Sequence, residues 1–269
     1  MLSIQNYMRP KTLEEAWELN QSKKTRIIGG MMWMRLRNDT IHTAIDLSDL
    51  GLDTIEETED AFSIGAMVTL RQIETHAGLN RYANGAVSAA VRDIVGVQFR
   101  NMATVGGSIW GRFGFSDVLT VFLGMNTEVE LYKGGRIPLG DFVSLPHDRD
   151  ILVRLIVHKT PGHIVYTAMR NQRTDFPTLA CAVSDIGGTL RAVIGARPTK
   201  ATVICDHDGH CSDGITQKSA QAFAAYVAAN TVTASNLRAS SEYRTHLIKV
   251  LTARAAIKLA ELGGNREWN

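Results

Sequence analysis

The chain has 269 residues, and 29 lysines and arginines against 27 aspartates and glutamates give a net charge of +2. Its apolar fraction of 45% and charged fraction of 21% are ordinary for a globular protein of one or two domains. The scattered basic residues give no reason to expect nucleic-acid binding, and no apolar run approaches the roughly 20 residues that span a bilayer, so we expect a cytosolic protein.

The first fifty residues predict a small lobe. Thr12-Leu13-Glu14-Glu15 is a capping box, so a helix should run from about Leu13 to Asn20. Arg26–Ile28 and Thr43–Leu47 predict short strands, and the first of them ends at Gly29-Gly30. This order of strand, glycine pair and strand makes the first lobe, which extends to about residue 52.

Residues 53–160 predict a second lobe. A hairpin is expected at Thr54–Glu57 and Ala61–Ile64, and the capping box Thr69–Gln72 opens a helix to about His76. Two further helices and two further strands are predicted at Ala86–Val95, Val118–Met125, Thr127–Tyr132 and Ile151–Val157. Pro161-Gly162 is the best candidate for a domain boundary.

The remaining residues predict an antiparallel sheet covered by helices. The strands are expected at Ile164–Met169, Leu179–Asp185 and Thr189–Ile194, with Gly187-Gly188 as a two-residue hairpin turn. Two helices follow, at about Thr216–Ala229 and Glu242–Leu262, and the second has an apolar face that suits packing on the sheet.

A second glycine pair lies in the stretch Arg100–Ser108, which contains Thr104, Gly106, Gly107 and Ser108, and Asp117 follows nine residues later. Glycine lets a backbone approach a ligand closely, while N–H groups and hydroxyls hold phosphate oxygens. The two glycine pairs are expected to form turns, the first after a strand and the second after a helix, and they lie about seventy residues apart. They therefore predict a diphosphate-bearing cofactor held between two lobes.

The histidines and cysteines predict no catalytic or metal centre. The histidines are scattered and form no nucleophile–base set, and three cysteines make neither a disulfide framework nor an iron–sulfur set. Cys205–Cys211 packs thiols, imidazoles and carboxylates into seven residues, which raises a metal hypothesis. Adjacent residues cannot all converge on one ion, so a polar turn at Asp208-Gly209 is favoured instead.

Three segments, Ile27–Gly30, Arg100–Ser108 and Ser116-Asp117, resemble in this order the FAD-binding medium subunit of the molybdenum hydroxylases. The resemblance also includes Asp46–Ser48, Thr127–Leu131, Arg173–Pro177 and Ser241–Arg244, so it covers nearly the whole length of the chain. It implies an α+β fold. Residues 1–160 would be a two-lobed α/β FAD-binding domain of the vanillyl-alcohol-oxidase (PCMH) type, with lobes at about 1–52 and 53–160. Residues 161–269 would be a C-terminal domain with an antiparallel sheet and helices on one face.

The same resemblance implies an oxidoreductase subunit without catalytic residues of its own, since the cofactor carries the chemistry. Electrons from a molybdopterin-binding large subunit would pass through an iron–sulfur subunit to FAD here, and then to NAD or another acceptor. Two alternatives remain open at this point. One is a structural subunit with a degenerate flavin pocket, and the other is a free-standing FAD-dependent oxidoreductase of the vanillyl-alcohol-oxidase type.

The resemblance also implies the site. Backbone N–H groups and a hydroxyl of the second glycine segment would hold the FAD phosphates, and Asp117 would accept from the ribityl or flavin portion, unless it only caps the helix that follows. Ile151 and Leu152 would lie against the isoalloxazine ring or serve as strand core. The predicted cofactor-binding residues are Ile27, Ile28, Gly29, Gly30, Met31, Met32, Trp33, Ala103, Thr104, Gly106, Gly107, Ser108, Asp117, Ile151 and Leu152.

The chain departs from the family pattern at three places. Met31 and Met32 stand where relatives carry small polar residues, and methionine offers no hydrogen-bond donor. Thr167 stands where many relatives have a lysine near the flavin. The bulky stretch Trp110–Phe115 replaces small residues, and its side chains would stack on the flavin, cover it or occlude it.

Overall fold

Three β-sheets organise residues 1–264, one in each predicted lobe and one in the predicted C-terminal domain. The computed structural model describes residues 1–264, so the last five residues of the predicted C-terminal domain, 265–269, lie outside the described part. Within residues 1–264, no helix combines the length and the apolar character needed to cross a membrane.

The first sheet is parallel, with the order β1-β3-β2. Its strands are β1 (Ser3–Met8), β2 (Thr25–Ile28) and β3 (Thr40–Asp46). Helix α1 (Leu13–Asn20) begins where predicted, because the Thr12 side chain accepts a hydrogen bond from the Glu15 N–H at 3.1 Å. Strand β1 was not predicted, since all six of its residues are exposed and only its pairing with β3 defines it.

The second sheet is antiparallel, with the order β4-β5-β8-β6-β7. Its strands are β4 (Ile55–Glu57), β5 (Ala61–Gly65), β6 (Thr127–Leu131), β7 (Gly135–Pro138) and β8 (Leu152–His158). Seven short helices accompany it: α2 (Leu70–Thr75), α3 (Ala77–Tyr82), α4 (Ala86–Val91), α5 (Val97–Arg100), α6 (Val105–Trp110), α7 (Asp117–Leu123) and α8 (Leu139–Ser144).

Two expectations for this lobe need correction. The helix predicted at Ala86–Val95 ends at Val91, and Val95 takes a left-handed φ of +50° that no helix tolerates. The glycines of the second pair do not form a turn after a helix. Gly106 and Gly107 instead lie in the first turn of α6, which is capped by Thr104.

The third sheet is antiparallel, with the order β12-β11-β10-β9. Its strands are β9 (Ile164–Arg170), β10 (Pro177–Ser184), β11 (Arg191–Gly195) and β12 (Thr202–Cys205), the last of which was not predicted. The prediction of a two-residue hairpin turn is wrong. Six residues join β10 to β11, and Gly187 and Gly188 take φ values of +70° and +75° inside a 3-10 turn there.

The domain's own helices, α9 (Gln217–Ala229) and α10 (Ser241–Gly264), lie on one face of the third sheet as expected. The opposite face of this sheet packs on α4 and α7 of the second lobe, so buried residues of both regions share one core. Gly195 allows this close approach, since a Cβ there would lie 2.2 Å from Thr120 Oγ1. The C-terminal domain therefore helps to fix α7, the helix that begins with Asp117.

Candidate functional site

A cavity of about 1010 Å³ is lined by residues of both lobes and by the segment around the link between β9 and β10. All fifteen residues of the predicted cofactor-binding set line this one cavity. Its volume is at the upper end for ligand pockets, which suits an extended ligand such as a dinucleotide. The fold therefore brings these fifteen residues together around one cavity, and cofactor binding by each of them stays a prediction.

The two glycine segments touch each other in the wall of the cavity. A Cβ on Gly30 would lie 1.8 Å from the Met102 carbonyl oxygen, and one on Gly29 would lie 2.6 Å from Thr104 Oγ1. At Gly30 the neighbour is backbone, so no side chain larger than hydrogen fits there without a shift of the chain. The glycine pair thus joins the first lobe to the second at the place where the diphosphate is predicted to bind. We call the surface formed by Gly29-Gly30 and Thr104–Ser108 the glycine cradle.

The N–H groups of the second glycine segment already have acceptors within the protein. Val105 N donates to Val68 O and Gly106 N to Ala66 O, both at 2.8 Å, and Gly107 N donates to Thr104 Oγ1 at 3.2 Å. Ser108 Oγ donates to Thr104 O at 2.9 Å. The first two bonds tie the start of α6 to the residues that follow β5, and the other two lie within the first turn of α6. This segment therefore offers the cavity a rigid glycine surface more than free donors.

Free donors lie instead in the first glycine segment. In the described part of the chain, the N–H groups of Gly30, Met31 and Met32 have no protein acceptor. Met31 takes a φ of +56°, an unusual conformation for a side chain other than glycine or asparagine. Consecutive N–H groups around a left-handed residue make a concave surface that suits anions. Backbone groups can therefore act here even though the methionine side chains cannot.

Asp117 is buried, with 5% of its side chain exposed, and it does not cap α7. The cap is Ser116, whose Oγ accepts from Leu119 N at 3.1 Å, so the capping alternative for Asp117 is wrong. Its Oδ1 lies 2.9 Å from Arg170 Nη2 and accepts a hydrogen bond from the Tyr166 hydroxyl. Burial raises the pKa of the Asp117 carboxyl, and the Arg170 guanidinium opposes that rise.

Sequence reasoning missed these two partners of Asp117. Tyr166 and Arg170 both lie on β9, and Arg170 also lines the cavity. No local pattern marks them, because they reach Asp117 only through packing of the third sheet on α7. Asp117 is thus a link between the lobe that carries the glycine cradle and the C-terminal domain.

Five aromatic side chains, Trp33, Phe99, Phe113, Phe115 and Phe176, line the cavity together, and we call them the aromatic cluster. Trp33 stacks on Phe176 with ring centroids 5.1 Å apart and an interplanar angle of 27°. Phe115 lies 4.5 Å from Phe176 and stacks on Phe113 at 5.2 Å. The cluster joins the first lobe, the second lobe and the C-terminal domain across the cavity.

The rest of the bulky segment packs away from this cluster. Trp110 lies 5.8 Å from Phe142 of α8, and the Arg112 guanidinium lies 3.9 Å above the Phe142 ring. Arg112 Nη1 lies 2.9 Å from His147 Nδ1. Because a guanidinium cannot accept a hydrogen bond, His147 Nδ1 is the acceptor and this imidazole is neutral. Burial and the neighbouring Arg112 lower the pKa of His147 accordingly.

The remaining candidates are placed as follows. Ile151 and Leu152 are buried at the start of β8 and also line the cavity, so both of their predicted roles fit their position. Thr167 lies outside the main cavity, in a second cavity of about 340 Å³ that shares Arg170 with it. The departure from the family at Thr167 therefore changes a neighbouring surface rather than the cradle.

The segment Cys205–Cys211 forms a turn around Asp206. This carboxylate accepts from His210 Nδ1 at 2.8 Å and from the N–H groups of His210 and Cys211 at 3.0 and 2.9 Å. Across residues 1–264, no three histidine, cysteine, aspartate or glutamate side chains are grouped in a way that could hold a metal ion. The side chains of this segment are thus used to shape the turn.

Comparison with known proteins gives a consistent result. Residues 2–159 match the family model described as the FAD binding domain in molybdopterin dehydrogenase. The chain is 28% identical to the xanthine dehydrogenase FAD-binding subunit of Escherichia coli O157:H7 over 99% of both chains. It is 25% identical to the nicotine 6-hydroxylase medium subunit of Paenarthrobacter nicotinovorans, over 94% of this chain and 96% of the relative.

Solved structures show the same fold at lower identity. A carbon monoxide dehydrogenase chain from Hydrogenophaga pseudoflava superimposes with a TM-score of 0.83 at 21% identity, covering 96% of this chain and 97% of that chain. A chain of quinoline 2-oxidoreductase from Pseudomonas putida 86 gives 0.82 at 19% identity, covering 95% and 96%. The α+β architecture with its C-terminal antiparallel sheet is therefore confirmed as that of these proteins.

Proposed function

We propose a function from the premise that this chain belongs to the family of FAD-binding domains in molybdopterin dehydrogenases. It is an oxidoreductase subunit of the xanthine dehydrogenase and carbon monoxide dehydrogenase type. In our proposal it binds FAD in the cavity of about 1010 Å³, with the diphosphate against Gly29-Gly30 and the glycine surface of α6.

The observation that carries this proposal is the contact between the two glycine segments. Gly30 approaches the Met102 carbonyl so closely that a methyl group is excluded, and the N–H groups that follow Gly29 are free. A close backbone approach together with unused N–H groups suits a diphosphate. The residues present therefore fit FAD, whose isoalloxazine ring supplies the redox chemistry when it is bound.

We further propose that the chain works inside an assembly. Electrons would leave a molybdopterin-binding large subunit, pass through an iron–sulfur subunit to the FAD of this chain, and continue to NAD or another acceptor. Support comes from the relatives, which are named as subunits of such enzymes, and from the potential metal-binding side chains of this chain. Residues 1–264 present no group of side chains that could bind a metal ion, so the proposed metal centres belong to partners.

One alternative is favoured by a specific observation. Met31 and Met32 provide no side-chain donors beside the cradle, which would suit a structural subunit whose flavin pocket has degenerated. The free N–H groups at the same residues argue against this alternative, because they leave the cradle able to hold an anion.

Equilibrium titration of the purified chain with FAD, and in parallel with FMN, tests the proposal. We expect FAD to bind and FMN to bind at least tenfold more weakly, since FMN lacks the second phosphate and the adenosine that the long cavity accommodates. Visible absorbance after gel filtration provides a second readout. A chain that retains no FAD, alone or with its partner subunits, would establish the structural alternative.

A further inference from the structure

We propose that the second cavity, of about 340 Å³, binds a phosphate group, either as the free ion or as part of a small phosphate ester. This cavity is formed by residues at the end of α4 and by β9, and it contains none of the fifteen predicted cofactor-binding residues. The inference therefore goes beyond the proposed function. It is carried by an excess of arginine donors and by a free strand edge in the cavity wall.

The charged side chains of the second cavity are unbalanced. Four of the nine residues that form it are charged, namely Arg92, Arg170 and Arg173 against Asp93. The Asp117 carboxylate, which pairs with Arg170, lines only the main cavity. After this pairing, two arginines face one aspartate, so the second cavity has a surplus of positive charge.

Most N–H groups of the two outer arginines are unused. Arg173 donates from Nε to Asp93 Oδ1 at 2.9 Å, whereas Arg92 Nε lies 3.9 Å from Asp93 Oδ2, beyond hydrogen-bond range. Within residues 1–264, the two guanidinium groups donate no other hydrogen bond. The side chains of Arg92 and Arg173 are 60% and 81% exposed, and exposed ion pairs contribute little to stability. Asp93 therefore leaves both arginines available to a ligand.

Arg170 supplies a fixed charge that both cavities share. Only 9% of its side chain is exposed; Nη1 donates to Asp175 O at 2.7 Å, and Nη2 lies 2.9 Å from Asp117 Oδ1. Because the surrounding protein already holds this guanidinium, little further side-chain entropy is lost when a ligand binds. Arg170 is thus a pre-organised element of the site, while Arg92 and Arg173 can adjust to the ligand.

The backbone of β9 completes the wall. β9 is the last strand of its sheet, so one side of its backbone pairs with no strand. Five consecutive residues of β9, 166–170, line the second cavity, which therefore follows this edge. Such an edge presents N–H and C=O groups, and Thr167, which is partly exposed, adds a hydroxyl. These groups suit the polar part of an ester that carries the phosphate.

The donors and the volume both favour a small phosphate compound. A guanidinium presents its N–H groups in a planar fork that matches the oxygens of a phosphate. The volume of about 340 Å³ lies at the lower end of the range for small-molecule sites. A phosphate group with a short polar chain therefore suits this cavity better than a dinucleotide does.

Calorimetric titration at constant ionic strength tests the inference. The FAD-loaded chain is titrated with inorganic phosphate and with glycerol 3-phosphate, because FAD occupies the glycine cradle in the proposed function and excludes phosphate from it. The chain without FAD is titrated in parallel. We expect the loaded chain to bind phosphate at millimolar concentrations. Tighter binding of glycerol 3-phosphate would identify an ester as the ligand, and equal or weaker binding would identify the free ion.

Four variants should give a defined pattern of signs. Arg92→Ala and Arg173→Ala should each weaken phosphate binding roughly tenfold, because each removes hydrogen bonds between charged groups. Asp93→Asn should tighten binding severalfold, because it removes the carboxylate that repels the anion. Arg136→Ala is the matched control and should change nothing. Arg136 is 61% exposed, donates from Nε to Glu130 at 3.2 Å and lines neither cavity.

The outcomes separate this inference from the proposed function. Absence of phosphate binding by wild type, or undiminished binding by both arginine variants, would overturn the phosphate site. Weaker binding by Asp93→Asn would also overturn it, and melting temperatures of the variants without phosphate show whether they fold. A chain that binds FAD but no phosphate leaves the proposed function intact. A chain that binds no FAD, alone or with its partner subunits, yet shows the pattern of signs overturns the proposed function and supports the phosphate site.

Discussion

Replacement of Gly107 by alanine should change folding and FAD binding in opposite directions. A Cβ at this position meets only Thr104 Oγ1, at 3.1 Å, a tight contact that a shift of a few tenths of an ångström in the hydroxyl relieves, and no other atom lies within 4 Å. Gly107 is helical, and alanine is favoured over glycine within a helix by roughly 0.5–1 kcal/mol. The apoprotein should therefore keep its stability, or its melting temperature should rise by roughly 1–4 °C.

FAD affinity should fall in the same variant. The added methyl group occupies the surface that the diphosphate approaches, so it displaces a phosphate oxygen from the free N–H groups of the first glycine segment. Each lost hydrogen bond to a charged group costs about 1.5–3 kcal/mol. Since about 1.4 kcal/mol corresponds to a tenfold change, the dissociation constant should rise on the order of 10- to 100-fold. Valine in place of alanine should enlarge the effect on binding.

Thermal melts of the apoproteins and calorimetric titration with FAD measure the two quantities separately. Gly140→Ala is the matched control, since Gly140 lies in the first turn of α8, a methyl group there would meet no other atom within 4 Å, and the residue lines neither cavity. Gly30→Ala is the opposite control, because its methyl would meet backbone at 1.8 Å and destabilise the apoprotein itself. If Gly107→Ala binds FAD within twofold of wild type, α6 does not form part of the cradle.

Three further predictions concern side chains around the cavity. Asp117→Ala should lower the free energy of unfolding of the apoprotein by about 3–5 kcal/mol, because it leaves the Arg170 guanidinium buried without its carboxylate; a loss below about 1 kcal/mol in urea unfolding would contradict this pairing. Met31→Asn should tighten FAD binding by roughly 0.5–1.5 kcal/mol in titrations, since asparagine offers a donor and tolerates a φ of +56°. Met31→Thr should not, because a β-branched residue is strained there, and equal gains from both variants would refute the backbone argument. The pKa of His147 is lowered by burial and by Arg112. The contribution of His147 to stability is therefore present above the ordinary histidine range and is lost as pH falls through the lowered pKa. His147→Gln should remove that part of the acid dependence in apoprotein melts, and an unchanged pH profile would count against this prediction.

Local sequence signals predicted the elements that depend on local bonds. Thr12 and Thr69 cap α1 and α2 at the predicted residues, and the second forms a complete capping box with Gln72. Strand β1 escaped prediction because none of its six residues is buried, so no apolar alternation marks it. The second glycine pair was predicted to form a turn at the end of a helical pattern, yet the Thr104 cap and the close packing on Ala66 place it in α6.

In the candidate site, too, features marked by local sequence could be predicted, and features that depend on tertiary packing could not. The ordered resemblance identified fifteen residues that line one cavity, because each lies in a short segment that can be read from the sequence. The partners of Asp117 and the stacking of Trp33 on Phe176 could not be predicted, since each pair joins elements that are distant along the chain. Propensity and periodicity carry no information about such pairs, which depend on how the third sheet packs.

The contact between the glycine segments also has a kinetic consequence. It joins Gly30 to Met102, and neighbouring bonds join Ala66 to Gly106, so the cradle closes only after long stretches of chain have been brought together. Contacts of this kind form late, because closing the loop costs chain entropy before the contact itself adds any stability. A cofactor that bridges the cradle should therefore leave the refolding rate unchanged and slow unfolding, so that its protection is measured as a longer native-state lifetime.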